Sequence, residues 1–501
     1  MKKILILTTI IFIGFTSCKK QLDIDPRQSI DFNSALNSVD AINAAVNSVY
    51  GGLKSTALYG RDLLAVSDAM ADVGFATNKS GRLVGENRNN LGAHLVLWGT
   101  AYSLINECNL ILAAIPTSPG TPAQKSSWEG QMRFLRALLY FELVKTYAYI
   151  PTADIPAQNR GGVVIKTDPT NSATNAANYF PKRATVAECY NFLKTELNAA
   201  IPLLPASGSV ALATQTAGRA LLSRVALYNG DWSIAVTEST AALATSVGAL
   251  TTATTYVSGW RQSIHPESIF EIRYATVAEN VGVNTSLQTT YTGLAAIGSP
   301  TTTGGGFGDF VPTNTLLTEY QVSYPNIATF PAPAASFPSI TYGADVRGQL
   351  FEWGTNFRGT RFVECTKFFG KNGQINLDNV PVFRKSELLL NRAEANYRLS
   401  LSTGGATAAT AALADLNTLR SNRGLPAVTL TGTALFDEII QQRRLEFAFE
   451  GHRFFDLKRL GRDIIKTPIN SNLLATDIRM LPAIPQGDID GNPNMLQNQG
   501  Y

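Results

Sequence analysis

The chain has 501 residues, of which 45% are hydrophobic and 16% charged, and its formal net charge at pH 7 is +4. This length is enough to bury a sizeable core and leaves room for more than one domain. The small net charge gives no sign of the basic surface that nucleic-acid binding proteins use.

The N-terminus has the pattern of a targeting segment. Two lysines precede the apolar stretch 4–15, which is shorter than the roughly 20 residues of a membrane-spanning helix. A basic start before a short apolar run predicts a secretory signal peptide over residues 1–17. The run ends at small residues before Cys18, as in a bacterial lipobox, so we expect cleavage there and lipid attachment to Cys18. Residues 18–32 are polar, which predicts an extended tether between the membrane and the folded part of the chain.

From about residue 33 the pattern becomes helical. Apolar residues recur at spacings of three and four, which places them on one face of a helix. The residues of this stripe are Leu36, Val39, Ile42, Val46 and Val49. The stretches 94–115 and 126–147 predict two further helices, and each is followed closely by a proline.

A helix–turn–helix unit is predicted over residues 216–244. Asn229 and Gly230 favour a left-handed helix end, and Asp231 is a suitable N-cap for the next helix. Small residues at the crossing are typical of tetratricopeptide-like pairs. A similar pattern recurs at about 387–424, but no strict period is visible. The sequence therefore predicts irregular helical pairs.

The amino-acid composition changes between about residues 256 and 379, where Gly, Thr, Pro and Ser dominate. Such a composition predicts loops and short strands. Residues 268–275 and 361–369 are the strand candidates. A loop-rich insertion on a helical platform is a common location for binding residues.

Five segments, in order along the chain, resemble the SusD/RagB family of Bacteroidetes surface lipoproteins. Each motif is short, but together they span nearly the whole chain. They are the lipobox-like start, RFLRALLYFELVKTYAYIP (133–151), ALLSRVALYNGDW (220–232), ELLLNRAEA with LNTLRSNRG (387–395 and 416–424), and IIQQRRLEFAFEGHRFFDLKRLGR (439–462) with the closing LPAIPQGDIDGNPNMLQNQGY.

The resemblance implies a mostly α-helical single domain over residues 33–501 with four tetratricopeptide-like helix pairs. The helical scaffold would span about 33–255 and 380–501, and the ligand or partner region about 256–379. It also implies a non-catalytic, cofactor-free lipoprotein on the outer face of the outer membrane. Such a protein captures an oligosaccharide, or in some members a peptide, for a SusC-like TonB-dependent transporter.

Charged residues are interspersed among leucines in the stretch 381–400, which predicts one long helix. A second charged stretch places Arg443 three residues before Glu446, and Glu450 three residues before Arg453, a spacing that makes neighbours on a helix. We interpret these side chains as a partly buried structural ion network, because arginine can satisfy two carboxylate oxygens at once. Its predicted members are Arg384, Glu387, Glu394, Arg443, Glu446, Glu450 and Arg453.

Catalytic and metal-binding motifs are not found in the sequence. A glycosidase needs one carboxyl with a raised pKa, whereas the arginines around Glu446 and Glu450 would keep both ionised. The sequence contains neither the G-x-S-x-G motif that carries the nucleophile of α/β-hydrolases nor a G-x-x-x-x-G-K-[ST] phosphate-binding loop. No metal is expected, because the histidines have no ligand spacing, and single buried thiols are expected at the cysteines after the signal peptide. These residues are His94, His265, His452, Cys108, Cys189 and Cys365.

Sugar binding needs flat aromatic faces and planar polar groups. The candidates are Trp98, which begins a W-x-x-x-Y-x-x-I-x-x-x-N pattern resembling that of the family, Asp72 and Arg82 in the preceding loop, and Tyr291 in the loop-rich region. Two other hypotheses remain open from the sequence. One is a surface hydrolase, and the other is a helical scaffold that binds proteins and no small ligand.

Overall fold

The computed structural model describes residues 36–300, 304–328, 337–356, 358–371, 373–467 and 469–501. The predicted signal peptide, Cys18 and the tether lie outside the described residues. Helices make up about 48% of the chain and the strands are few and short, which confirms the predicted mostly α-helical class. No helix within the described ranges is both long enough and apolar enough to cross a membrane.

The α-helices fall into two runs separated by a region of short elements. In chain order they are α1 (Val39–Gly52), α2 (Asp62–Met70), α3 (Val84–Asn87), α4 (Trp98–Ala114), α5 (Pro122–Tyr147), α6 (Ala173–Ala177), α7 (Val186–Ala200), α8 (Gln215–Asn229), α9 (Trp232–Leu243), α10 (Tyr256–Gly259), α11 (Leu287–Tyr291), α12 (Asn314–Glu319), α13 (Lys385–Ser400), α14 (Gly405–Ser421), α15 (Gly432–Phe447), α16 (Arg453–Arg459) and α17 (Gln486–Gly491).

The strands form four antiparallel two-stranded sheets among the described residues: β1 with β3, β2 with β8, β4 with β5, and β6 with β7. In chain order they are β1 (Gly74–Ala76), β2 (Ser268–Ile272), β3 (Phe310–Pro312), β4 (Val322–Ser323), β5 (Thr341–Tyr342), β6 (Phe351–Trp353), β7 (Val363–Cys365) and β8 (Val380–Arg384). The two strand candidates from the sequence contain β2 and β7.

The long helices pack as a series of neighbours. Helix α4 packs on α5, α5 on α7, α7 on α8, α8 on α9, α9 on α13, and α13 on α14. Their ends are set locally: Thr121 and Gln124 form a reciprocal capping box at the start of α5, and Gly230 ends α8 with a φ of 84°. The main apolar cluster extends from Ile42 to Ile484, so both helical runs share it.

Two local predictions are wrong. The stretch 381–400 is not one helix, because residues up to Arg384 form β8, whose Val380 pairs with Ile272 of β2, and α13 begins only at Lys385. Proline has no N–H to donate and suits a strand edge, and this sheet partner is distant in sequence. Asp231 precedes α9 but makes no capping hydrogen bond, because its carboxylate accepts from Asn229 and Lys194 instead.

Candidate functional site

The most highly charged part of the interior lies where α13 and α15 meet the loop-rich region. Glu446 accepts hydrogen bonds from Arg384 at 3.0 Å and from Arg423 at 2.8 and 2.9 Å. Glu450 accepts from Arg384 at 2.8 and 2.9 Å and from Lys367 at 2.7 Å. Burial alone would raise the pKa of Glu446, but the surrounding guanidinium groups hold it well below its usual range. This carboxylate is therefore ionised and fully paired.

That geometry leaves the Glu446 and Glu450 carboxyls unable to act as a glycosidase pair. A general acid must hold a proton near neutral pH, and the low pKa of Glu446 prevents this. Both side chains are buried, and their oxygens are engaged by Arg384, Arg423 and Lys367.

The other predicted network residues form pairs outside this cluster, and Arg459 joins two of these pairs because it contacts both Glu394 and Asp456. Each pair joins two segments that are distant along the chain or on different helices, so the pairs connect neighbouring elements. The pairs are Glu387–Arg224, Glu394–Arg459, Arg443–Asp456 and Arg453–Asp72.

The pairing expected within the second charged stretch differs from the observed one. We expected Arg443 to lie beside Glu446, and Glu450 to lie beside Arg453. Helix α15 ends before Glu450, and Phe449 has a φ of 67°, so the chain turns before α16 begins. Glu450 and Arg453 consequently lie on different elements and pair with other segments. Arg443 and Glu446 both lie on α15, but each also pairs with another segment.

Three surface hollows contain three of the four predicted sugar-contact residues, one in each. The first, which we call the Trp98 hollow, has a cavity volume of about 240 Å³. It lies between the start of α4, the segment 164–181 and α17. Its aromatic lining is Trp98, Tyr102 and Tyr179, and its polar lining includes Asp488 and Asn492.

The aromatic rings of the Trp98 hollow are held by their neighbours. The ring centres of Trp98 and Tyr102 are 4.9 Å apart, and the Tyr102 hydroxyl donates to the carbonyl of Val164 at 2.8 Å. Tyr179 is 38% exposed, whereas Trp98 is only 4% exposed. Partial burial raises the pKa of Asp488, although a hydrogen bond with Trp98 opposes the shift. The hollow therefore combines fixed aromatic surface with a carboxyl group at its edge.

The second hollow, which we call the Arg82 hollow, has a volume of about 290 Å³ and includes Val96 in its lining. Arg82 donates to Asp309 at 3.1 Å, and its guanidinium carbon lies 4.6 Å from the ring centre of Phe307. Val96 is 74% exposed and stands two residues before Trp98. The Arg82 and Trp98 hollows thus flank the same short segment.

The third hollow, which we call the Asp72 hollow, has a volume of about 270 Å³. Arg453 donates to both carboxylate oxygens of Asp72 at 2.8 Å. Burial alone would raise the pKa of Asp72, but Arg453 and Arg444 hold it at about 2. Asp72 is therefore an ionised partner of two arginines.

The fourth predicted contact, Tyr291, is a core residue. Its side chain is fully buried, and its hydroxyl donates to Asp68 at 3.1 Å. Burial raises the pKa of Asp68 to about 8. The prediction that Tyr291 contacts a ligand is wrong for this structure, because α11 directs the ring towards Phe368 and Phe449 and away from the surface.

The predicted absence of a metal site and the predicted state of the thiols can be compared with the structure. No group of His, Cys, Asp and Glu within the described ranges is placed to hold a metal ion. The three cysteines in those ranges are free and buried, as predicted. His94 and His265 are buried, and His452 is partly buried.

Two family models match the chain. Residues 345–501 match the model described as the SusD family, and residues 19–227 match a SusD-like model described as "Starch-binding associating with outer membrane". Together the two matches cover most of both helical runs, while residues 228–344, which include α9, lie outside them.

The chain belongs to the SusD family.

Relatives of this SusD-family chain extend over its whole length. SusD-like protein P2 of Formosa agariphila is 23% identical over 526 residues, covering 100% of each chain. Starch-binding protein SusD of Bacteroides thetaiotaomicron is 34% identical over 131 residues, 25% of this chain and 22% of that protein. A SusD superfamily protein from Bacteroides thetaiotaomicron has the same fold, with a TM-score of 0.76, 24% identity and coverage of 92% and 99%.

Sequence reasoning missed several residues of this SusD-family structure. Glu267, Arg347 and Lys367 of the loop-rich region enter the interior ion network, although the region was interpreted only as binding loops. Tyr102 and Tyr179 line the Trp98 hollow, and Tyr102 was already part of the quoted family pattern. That pattern could have identified Tyr102, whereas no local signal marks Tyr179.

Proposed function

We propose that the chain is a non-catalytic oligosaccharide-binding protein and that the Trp98 hollow is its ligand site. The observation that supports this most is the lining of that hollow by Trp98, Tyr102 and Tyr179 beside Asp488 and Asn492. Aromatic faces pack against the C–H faces of pyranose rings, and planar polar groups orient the hydroxyls. The starch-binding description of the matching family model supports the same ligand class.

The shape of the hollow is consistent with a chain-like ligand. Tyr179 is the most exposed of the three aromatic residues, and the Nζ of Lys166 lies 4.1 Å from its ring centre. The Arg82 hollow begins on the other side of the segment that ends at Trp98. An oligosaccharide in the Trp98 hollow would therefore extend its neighbouring units towards the Arg82 hollow.

Binding is tested by calorimetric titration of the purified protein with an α-glucan oligosaccharide, a β-glucan oligosaccharide and an unstructured tetrapeptide. We expect saturable binding of a glycan, and weaker binding after Tyr179→Ala. Chromatography of the incubated ligand should recover it at its original length. Binding of the peptide alone would favour a peptide-binding protein of the same importer type. Shorter glycan products would favour a surface hydrolase.

We further propose that the protein is held on the outer membrane by a lipid at Cys18 and faces the cell exterior. There it would pass its ligand to a SusC-like TonB-dependent transporter. The lipobox-like sequence before Cys18 supports the anchor, and the family model's description supports association with the outer membrane. The partner is implied by the family resemblance.

The anchor and the partner are tested in the native cell. A labelled fatty acid should be incorporated into the wild-type chain and not into Cys18→Ala. The tagged wild-type chain, solubilised in mild detergent, should copurify with one large TonB-dependent barrel protein identified by mass spectrometry. A fully soluble wild-type chain, or a purified chain without that barrel, would contradict this part of the proposal.

A further inference from the structure

The Asp72 hollow contains charged and polar groups that the proposed glycan site does not use. It is lined by residues of five separate segments: Asp72 with β1, α12 with its N-cap, the second half of α15, the first residue of α16, and the loop after α16. Its volume of about 270 Å³ lies just below the range of roughly 300–1,000 Å³ for pockets that enclose drug-sized ligands. The space suits a single sugar unit.

Arg444 is the central cation of this hollow and is incompletely paired. Its Nε lies 3.5 Å from the Asp72 carboxylate, and that Nε makes no hydrogen bond within the described residues. One Nη donates to the Asp72 carbonyl at 3.3 Å, a long contact, and the other donates to Glu319. The Arg444 side chain is only 7% exposed. The buried Nε is out of reach of a ligand, so a ligand anion would bind the Nη that now pairs with Glu319.

The two carboxylates on Arg444 differ in how firmly they are held. Asp72 is fixed by the two hydrogen bonds from Arg453. Glu319 is the last residue of α12, its side chain is 28% exposed, and Arg444 is its one ion-pair partner within the described residues. Glu319 can therefore swing into solvent and leave its place on Arg444 to a carboxylate from a ligand.

Neutral hydrogen-bonding groups surround the same space. The side chains of Thr315, Gln441 and Thr467 line the hollow and make no hydrogen bond to other described residues. Lys466 also lines it, but its Nζ donates to Ala69, Asn87 and Asn89 and is already satisfied. The available partners are thus the Arg444 Nη that pairs with Glu319 and three neutral groups that suit hydroxyls.

We propose that the Asp72 hollow is a second binding site, distinct from the Trp98 hollow, for a hydroxylated carboxylate such as a uronic acid unit of an acidic glycan. The ligand carboxylate takes the position of Glu319 on Arg444, and the ligand hydroxyls bond to Thr315, Gln441 and Thr467. Binding is a non-covalent exchange of one carboxylate for another.

The first test measures the ligand class by calorimetric titration of the wild-type protein with galacturonate, galactose and acetate at low salt. Galacturonate should bind at least about tenfold more tightly than galactose, which lacks the charge, and than acetate, which lacks the hydroxyls. Equal binding of galacturonate and galactose, equal binding of galacturonate and acetate, or no binding of galacturonate would overturn the proposal.

The second test changes Glu319, the residue that the ligand carboxylate would replace on Arg444. Glu319→Gln should tighten galacturonate binding several-fold, because it removes the competing charge while keeping the side chain's shape. The matched control Glu238→Gln removes a carboxylate paired with Arg219 at another place and should change nothing. An unchanged affinity in Glu319→Gln would contradict the exchange.

Arg444→Gln should weaken galacturonate binding by about tenfold or more. Arg444→Lys should keep part of the affinity, since it keeps the charge without the fork. Folding is checked by thermal melting, and a variant with wild-type melting that still binds galacturonate normally would refute the site. This test rests on the Asp72 hollow alone, because Arg444→Lys should leave the affinity for a glycan in the Trp98 hollow unchanged. Loss of the galacturonate site with normal glycan binding would therefore be distinguishable from failure of the proposed function.

Discussion

Arg384 and Arg444 have the same guanidinium group in two different settings. Arg384 is 1% exposed, and its three nitrogens donate to Glu267, Glu446, Glu450 and Ser386. Arg444 lines an open hollow, and the side chain of its partner Glu319 is 28% exposed. A set of fully buried carboxylate partners indicates a structural role, whereas a partly exposed partner beside a cavity can be exchanged for a ligand anion.

The variant with the largest expected effect removes a carboxylate from the buried ion network around Arg384. Glu446→Gln would remove the carboxylate shared by Arg384, Arg423 and Arg347 and leave these buried cations to Glu267, Glu450 and Asp345, so we expect a loss of about 3–5 kcal/mol in the free energy of unfolding. Urea unfolding measures the change. The control Asp437→Asn breaks the exposed pair with Arg462 and should cost less than about 1 kcal/mol. Equal losses in the two variants would remove the distinction between buried and exposed pairs.

The second test uses the buried carboxyl of Asp68, which has no ion-pair partner among the described residues and a pKa raised by burial to about 8. The unfolded carboxyl has a pKa of about 3.9, so between these values the folded state binds a proton that the unfolded state does not. Stability from this group is complete below pH 4 and falls as the pH rises to 8, by up to about 1.4 kcal/mol per unit.

Asp68→Asn should remove this loss of folding stability at rising pH, because the amide does not ionise. Its oxygen can still accept hydrogen bonds from Tyr291 and Gly451, as the carboxyl does. Urea unfolding at pH 5, 6 and 7 should therefore show the variant gaining stability relative to the wild type as the pH rises. Two parallel pH profiles would mean that Asp68 does not bind a proton in the folded protein over this range.

The third test concerns the turn that separates Glu450 from Arg453. Gly451 has a φ of 78°, and a Cβ there would lie 2.6 Å from the carbonyl oxygen of Leu63. Gly451→Ala should therefore cost about 1–3 kcal/mol of unfolding free energy. Gly99→Ala in α4 meets no atom within 4 Å and should gain roughly 0.5–1 kcal/mol. Thermal or urea unfolding of both variants compares them, and a neutral Gly451→Ala would contradict the strained turn.

The variant with the smallest expected effect changes Tyr179 in the Trp98 hollow. Tyr179→Ala should lower glycan affinity about tenfold, or ~1.4 kcal/mol, and leave stability within about 0.5 kcal/mol because the ring is partly exposed. Tyr342 is 39% exposed, close to the 38% of Tyr179, and lies outside the Trp98 hollow. Tyr342→Ala should therefore leave binding unchanged. Titration calorimetry separates the two, and equal weakening would indicate that the effect is not local.

Local sequence patterns predicted the helices well and the site only in part. Apolar spacing predicted α1, and Asn229 with Gly230 predicted the left-handed end of α8, since both features depend on residues close in sequence. The strand β8 was missed because its partner β2 is more than a hundred residues away. The Trp98 hollow also joins α4 to α17, and no local pattern brings Trp98 and Asp488 together.

The predicted sugar contacts illustrate the same limit. Residue type and family pattern suggested Trp98, Asp72, Arg82 and Tyr291 as one group, but the fold places three in separate hollows and buries the fourth. Whether a polar or aromatic side chain faces a cavity depends on long-range packing, which a single sequence does not encode locally.

The most direct measurement is a crystal structure of the protein with the glycan that binds most tightly in the titration panel. The proposed function predicts an intact oligosaccharide in the Trp98 hollow, with a pyranose face against Trp98 or Tyr179 and hydroxyls near Asp488. A cleaved ligand, or a ligand bound only in another part of the molecule, would contradict it.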